Sequence, residues 1–259
     1  MSEFPSPEDL LARPFFFVGV GGSGMLPLAQ ILRGRGARVE GSDRSLDQGR
    51  TPEKFTALEA QGVTLHPQDG SGIVSQDQIV VASAAVEASV PDIARAEDLG
   101  CLRLTRAELN SILFNTSGAG LAVAGTSGKS TVTGMLGWIM HHLGREPTIM
   151  NGAVMKNFAS AERPFASAVA GGQSLYVSEV DESDGSIALF DPYIAVLTNI
   201  SLDHKSMDEL RDLFGEFARR ATHVIWNADD RESAALIDGL QITGVVGFGF
   251  SDGANFRAV

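Results

Sequence analysis

A lysine framed by glycines and hydroxyls stands at Gly125-Thr126-Ser127-Gly128-Lys129-Ser130-Thr131. The apolar run Leu121-Ala122-Val123-Ala124 ahead of it reads as a strand, and Lys129 to Leu143 reads as a helix. A strand–loop–helix junction of this kind turns backbone N–H groups and the positive end of a helix on an anion. The glycines let the backbone wrap phosphates, Lys129 can reach β and γ oxygens as a compact charge, and Ser130 or Thr131 can offer a hydroxyl to Mg²⁺. The strict signature has one more glycine five residues before Gly128, where Val123 stands, so the loop is a shortened variant. A chance Gly-Lys-Ser at a helix cap is the plain alternative; the preceding strand favours triphosphate.

Magnesium needs further hard oxygen ligands. Ser178-Glu179-Val180-Asp181-Glu182-Ser183-Asp184-Gly185-Ser186 supplies them, with four acids in six residues at the end of an expected strand. Ligands of open α/β sheets bind at that end. Glu179, still on the strand, is the best metal candidate; a solvated acidic turn is the alternative. Another strand ends in Leu197-Thr198-Asn199-Ile200-Ser201-Leu202-Asp203-His204. A histidine beside an acid there can ligate a second metal or orient a phosphate, although a lone His204 would also suit a plain surface.

A second glycine-rich turn, Gly19-Val20-Gly21-Gly22-Ser23-Gly24, follows the strand Phe15-Phe16-Phe17-Val18 and opens a helix. That context fits nucleotide binding at a helix N-terminus, and Asp43 at the next strand end can accept from a ribose hydroxyl. The turn can equally serve only to pack helix on strand. NAD is the obvious ligand for such a turn, but no dehydrogenase-type constellation follows it.

Short apolar runs alternate with helical patterns along the whole chain, which predicts parallel sheet covered by helices, an α/β fold. Strands are expected at 15–18, 38–40, 63–65, 79–82, 102–104, 121–124, 174–180, 194–197, 223–226 and 242–248. Helices are expected at 24–32, 54–60, 91–99, 106–114, 129–143, 208–221 and 231–240. Asn115-Thr116-Ser117-Gly118-Ala119-Gly120 reads as a linker, dividing the chain into domains 1–117 and 118–259.

The chain has 259 residues, 44% hydrophobic and 20% charged, enough to bury a substantial core. Its net charge of −12 argues against non-specific nucleic-acid binding, which needs surplus Lys and Arg. The single cysteine, Cys101, allows no internal disulfide and reads as a small core hydrophobe. Residues 1–13 lack the pattern of a signal peptide, and no apolar run reaches the length of a membrane span, so a cytoplasmic protein is expected.

The motifs, in this order, resemble the Mur ligase family, which joins amino acids to the UDP-N-acetylmuramate peptides of bacterial cell-wall precursors. The resemblance rests on Gly125 to Ser130, Glu179 to Ser186 and Thr198 to His204, and runs over nearly the whole chain. Gly19 to Met25, Gly41-Ser42-Asp43 and Ala82-Ser83-Ala84-Ala85-Val86 are most similar to the branch that adds L-alanine to UDP-N-acetylmuramate, or to its relative that reattaches recycled murein tripeptide.

The resemblance implies a Rossmann-like UDP-binding domain followed by a P-loop domain. It implies ATP at Gly125, Thr126, Ser127, Gly128, Lys129, Ser130, Thr131 and Asn199. It implies Mg²⁺ on Ser130, Glu179 and His204, with Lys129, Glu179 and His204 as catalytic groups. The UDP-sugar substrate would meet Gly21, Gly22, Ser23, Gly24, Asp43, Ser83, Asn157, Asp181, Glu182 and Ser183, and an amino acid would be the second partner. Close relatives carry histidine where Ser127 stands and an apolar residue where Lys205 stands. Family members end in a third domain, so the central domain is expected to be incomplete here and the chain alone inactive. A non-catalytic nucleotide-binding module is the alternative the sequence leaves open.

Overall fold

The computed structural model describes residues 7–203 and 205–259. The chain divides into two compact units, residues 1–116 with 150–171, and residues 117–149 with 172–259.

In the first unit, a short helix α1 (Pro7–Leu11) precedes β1 (Phe15–Val18), α2 (Met25–Gly34), β2 (Val39–Ser42), α3 (Arg44–Asp47), α4 (Pro52–Ala60), β3 (Thr64–His66), β4 (Ile79–Ala82), α5 (Pro91–Leu99), β5 (Leu102–Thr105) and α6 (Arg106–Asn115). The sheet order is β3-β2-β1-β4-β5, with parallel pairing throughout. Phe15, Phe16 and Phe17 of β1 are fully buried. A central parallel strand is covered on both faces, which is why it reads as an unbroken apolar run rather than an alternation. Each such phenylalanine stabilises the unit by about 1.5–3 kcal/mol. Pro91 starts α5 where a missing N–H costs nothing, and Thr105 and Glu108 form a capping box that starts α6 directly after β5. Cys101 packs against the core cluster around Phe16, Val80 and Ile93, as a small hydrophobe should.

Segment 150–171 also belongs to this unit, although nothing in its composition separates it from its neighbours. Ala170 in it touches α2 so closely that a Cβ on Gly34 would overlap it, and Gln30 donates to the Phe165 carbonyl at 3.2 Å.

The second unit contains β6 (Gly120–Ala124), α7 (Lys129–His142), β7 (Thr148–Met150), β9 (Tyr176–Glu179), β10 (Ile194–Leu197), α8 (Met207–Arg220), β11 (His223–Asn227), α9 (Arg231–Leu240), β12 (Val245–Gly249) and β13 (Phe256–Arg257); β8 (Ala168–Val169) lies in segment 150–171. The strand order is β13-β12-β11-β10-β6-β9-β7. β6 therefore lies between β9 and β10, both parallel to it. The order reverses at β6, and a crevice opens at the carboxyl ends of strands at such a point. α8 shows how the sequence builds the cover: Leu210, Phe214, Phe217 and Ala218 recur at helical spacing and are buried, while a Ser206–Glu209 capping box starts the helix. No helix among the described residues is long and apolar enough to cross a membrane.

Candidate functional site

In the first unit, a cleft of about 580 Å³ lies at the ends of β1, β2 and β4, where the order of that sheet reverses. Gly19, Gly21, Gly22 and Asp43 line it. The glycine turn is held from the end of β2. The Ser42 carbonyl accepts from Gly19 N (2.8 Å) and Val20 N (3.0 Å), and Asp43 Oδ2 accepts from Gly21 N (2.9 Å). Asp43 Oδ1 caps α3 by accepting from Ser45 N at 2.8 Å. Asp43 thus shapes the turn, and only the second lone pair of each oxygen remains for a ligand hydroxyl. Lys54 adds a brace from α4, donating to the Gly21 carbonyl at 3.0 Å.

Ser83 sits after β4 and turns back on its own loop, while Ala85, Val86 and Glu87 of that loop line the cleft. Asn157 is exposed on segment 150–171.

In the second unit, the loop after β6 meets two strand ends. From β9, Glu179 Oε2 accepts from Ser130 Oγ at 2.6 Å, and Glu182 Oε2 lies 2.9 Å from Lys129 Nζ. Lys129 also donates to the Gly125 carbonyl at 2.8 Å. From β10, Asn199 makes a two-way contact with Ser127: its Oδ1 accepts from Ser127 N (3.1 Å) and its Nδ2 donates to Ser127 O (2.8 Å). Thr198 Oγ1 donates to Ser127 O at 2.8 Å. Thr126 N donates to Asn199 O, and Ser201 N donates to Thr126 Oγ1 at 3.0 Å. Gly128 caps α7 at φ +84°, and Gly125 has φ +136°. Asp181 is occupied locally, accepting from Ser183 N and Oγ. His204 lies outside the described residues.

The loop therefore presents a cation, a hydroxyl and a helix N-terminus beside two carboxylates. That set suits a polyphosphate carried with a hard cation.

Two family models match the chain. "Mur ligase family, catalytic domain" covers residues 14–117, and "Mur ligase middle domain" covers residues 123–259. The chain belongs to the Mur ligase family. Similar curated relatives are named UDP-N-acetylmuramate–L-alanine ligase. That of Thermosynechococcus vestitus is 37% identical over 84% of this chain and 45% of its own length. That of Thermobifida fusca is 33% identical over 98% of this chain and 52% of its own. The chain spans about half the length of the curated relatives it matches.

Among solved structures, the UDP-N-acetylmuramate-alanine ligase of Thermotoga maritima matches with a TM-score of 0.75 at 26% identity, covering 92% of this chain and 52% of that one. A Neisseria meningitides ligase named for UDP-N-acetylmuramate and L-alanyl-γ-D-glutamyl-meso-diaminopimelate shares the fold, with a TM-score of 0.77 at 24% identity over 91% of this chain and 78% of that one. The α/β class with Rossmann-like and P-loop parts is thus the fold of this Mur ligase chain.

Arg44, Gln68 and Glu87 also line the cleft and carry no motif. Arg44 was within reach of sequence reasoning, since it follows Asp43 at a strand end. Gln68 and Glu87 come from loops after β3 and β4, and only the sheet order brings them together.

Asp92 supports this Mur ligase cleft from beneath. It is fully buried, its Oδ2 lies 2.5 Å from Ser42 Oγ, and its Oδ1 accepts from Gly70 N at 2.8 Å. Burial pushes its carboxyl above the ordinary value, against the Ser42 and Gly70 hydrogen bonds. A raised folded pKa means that this contribution to stability is complete below the unfolded value of 3.8 and is lost as pH rises through the folded one. Asp92→Asn can donate to Ser42 and accept from Gly70 at any pH. Its stability relative to wild type should therefore increase as pH rises above 3.8, as read by urea unfolding; a pH-independent difference would contradict this. Asp92→Ala leaves two buried partners unsatisfied and should cost about 2–4 kcal/mol.

Proposed function

We propose that this chain carries the substrate-holding and ATP-holding parts of an ATP-dependent ligase that joins L-alanine to UDP-N-acetylmuramate. The observation that carries the reading is the meeting of Lys129 and Ser130 with Glu182 and Glu179 at the reversal point of the second sheet. The names of the relatives support the substrate pair.

The UDP moiety occupies the cleft beside Gly21, Gly22 and Asp43. Ser23 and Gly24, at the entrance to α2, belong to the same turn, and Ser83, Asn157, Asp181 and Ser183 are assigned to the substrate by motif resemblance alone. ATP lies along Gly125 to Thr131 with Asn199 holding the loop's shape.

Mg²⁺ fits the donor set: Ser130 Oγ and Glu179 Oε2 are hard oxygens already 2.6 Å apart, and His204 follows by its motif. The cation supplies charge neutralisation between two anionic reactants. Lys129 orients and neutralises the γ-phosphoryl group, as positioning and electrostatics dominate phosphoryl transfer. A carboxylate oxygen of the muramyl group bonds to γ-phosphorus and ADP leaves. The alanine amine then attacks the acyl carbon, losing a proton as phosphate departs. The reaction belongs in the cytoplasm, where nucleotide substrates are made, and feeds cell-wall synthesis.

Calorimetry on the 259-residue chain tests this. Mg-ATP and UDP-N-acetylmuramate should each bind with one-to-one stoichiometry and without mutual competition. Failure of both to bind would overturn the reading, and binding of NAD in the cleft would replace it.

A further inference from the structure

Both loop side chains assigned to the nucleotide are already engaged by the acidic end of β9. Lys129 Nζ is 2.9 Å from Glu182 Oε2, and Ser130 Oγ is 2.6 Å from Glu179 Oε2. The Lys129–Glu182 pair is well sheltered, with side-chain exposures of 19% and 5%. Its acidic half is held by a stitched turn: Gly185 N donates to the Glu182 carbonyl, and Ile187 N and Ser186 Oγ donate to the Asp181 carbonyl. The Glu182 carboxylate is therefore aimed at the lysine by the backbone, not by a flexible surface stem.

We propose that Glu182 is a positioning residue, an internal counter-ion that holds Lys129 before the nucleotide arrives and that the triphosphate must displace. The inference rests on the triphosphate reading of the loop. An ammonium has three donors, and Gly125 O and Glu182 take two of them. Reaching β and γ oxygens requires Lys129 to turn at least partly away from Glu182. Glu182 then competes with phosphate for one cation, and its own charge repels the incoming anion. A buried carboxylate that loses its counter-ion is costly, so the exchange opposes binding. What Glu182 provides in return is a lysine held at its post in the nucleotide-free protein.

The test is Glu182→Gln, which keeps the volume and removes the charge. A non-hydrolysable ATP analogue with Mg²⁺ is titrated into wild type and variant by calorimetry. Kd should fall by about ten- to a hundredfold, the range set by loss of one competing charge-assisted hydrogen bond. A residue with only a structural role would weaken binding when altered, so the sign decides. Glu182→Asp, which keeps the charge and shortens the reach, should tighten binding by a smaller factor and serves if the glutamine variant does not fold. Wild-type binding with unchanged or weaker binding in either variant would overturn the exchange alone. No binding by wild type would overturn the triphosphate reading and the exchange with it.

Discussion

Lys129→Ala should lower Mg-ATP affinity by about 10²–10³-fold or more, since a preorganised charge aimed at the phosphates is removed. The same change should destabilise the nucleotide-free protein, because it leaves Glu182 buried and alone. Glu182 is only 4% exposed, and its carboxylate accepts from Lys129 Nζ at 2.9 Å. Breaking a buried pair by removing one member typically costs about 3–5 kcal/mol, less where the survivor can reach water or take a proton. Loss of ATP binding in Lys129→Ala could then be read as unfolding. The double variant Lys129→Ala with Glu182→Gln separates the two effects: it should recover much of the lost stability in urea unfolding, and of the ATP affinity only the part that the unpaired Glu182 charge takes away by repulsion. Wild-type affinity in Lys129→Ala would remove the loop from the mechanism. Recovery of full wild-type ATP affinity in the double variant would place the lysine's role in stability alone.

The contrast between Lys129 and Glu182 also shows what the sequence makes legible. The phosphate loop is local: strand, glycines, lysine and helix are contiguous, and their chemistry follows from types and spacing. β1, β4, α5, β10 and α9 begin and end where the pattern places them, because a doubly buried strand or a proline-started helix writes its bounds in its own residues. The partnership of Glu182 with Lys129 is not local. It follows from β9 lying beside β6, with β7 displaced outward, and no residue pattern states that order. α3 is only four residues long, too short to carry a helical pattern, and its cap Asp43 also suits a ribose acceptor. One carboxylate suits both roles, and only the Ser45 and Gly21 contacts show which partners it has. β7 and β8 are short, and segment 150–171 joins the first unit through contacts such as Gly34 with Ala170. A strand of that length exists because of its neighbours.

The loop's shape depends as much on Gly125 as its charge does on Lys129, and Gly125→Ala should damage the site severely. At φ +136° the residue lies where L side chains are strained. An added Cβ would also overlap Thr198 Oγ1 and lie 2.9 Å from the Asn199 carbonyl oxygen and 3.1 Å from its nitrogen. These atoms cannot yield singly. Thr198 Oγ1 donates to Ser127 O, and Asn199 grips both the N–H and the carbonyl of Ser127. Asn227 in turn donates to the Thr198 carbonyl at 3.0 Å from the next strand, β11. A methyl group here therefore pushes against a laced backbone rather than a flexible side chain, and should cost about 2–4 kcal/mol of stability together with ATP binding. Gly128→Ala is the informative partner. Its φ of +84° is unfavourable too, but no atom lies within 4 Å of the added Cβ. Only the left-handed backbone penalty of about 1–2 kcal/mol applies, and binding should weaken modestly. If the two variants were equally damaged in urea unfolding and ATP titration, torsional strain alone would govern the loop. A much larger loss at Gly125 would show that the β10 strand end fixes the curve of the loop, a role for Thr198 and Asn199 that needs no contact with a nucleotide.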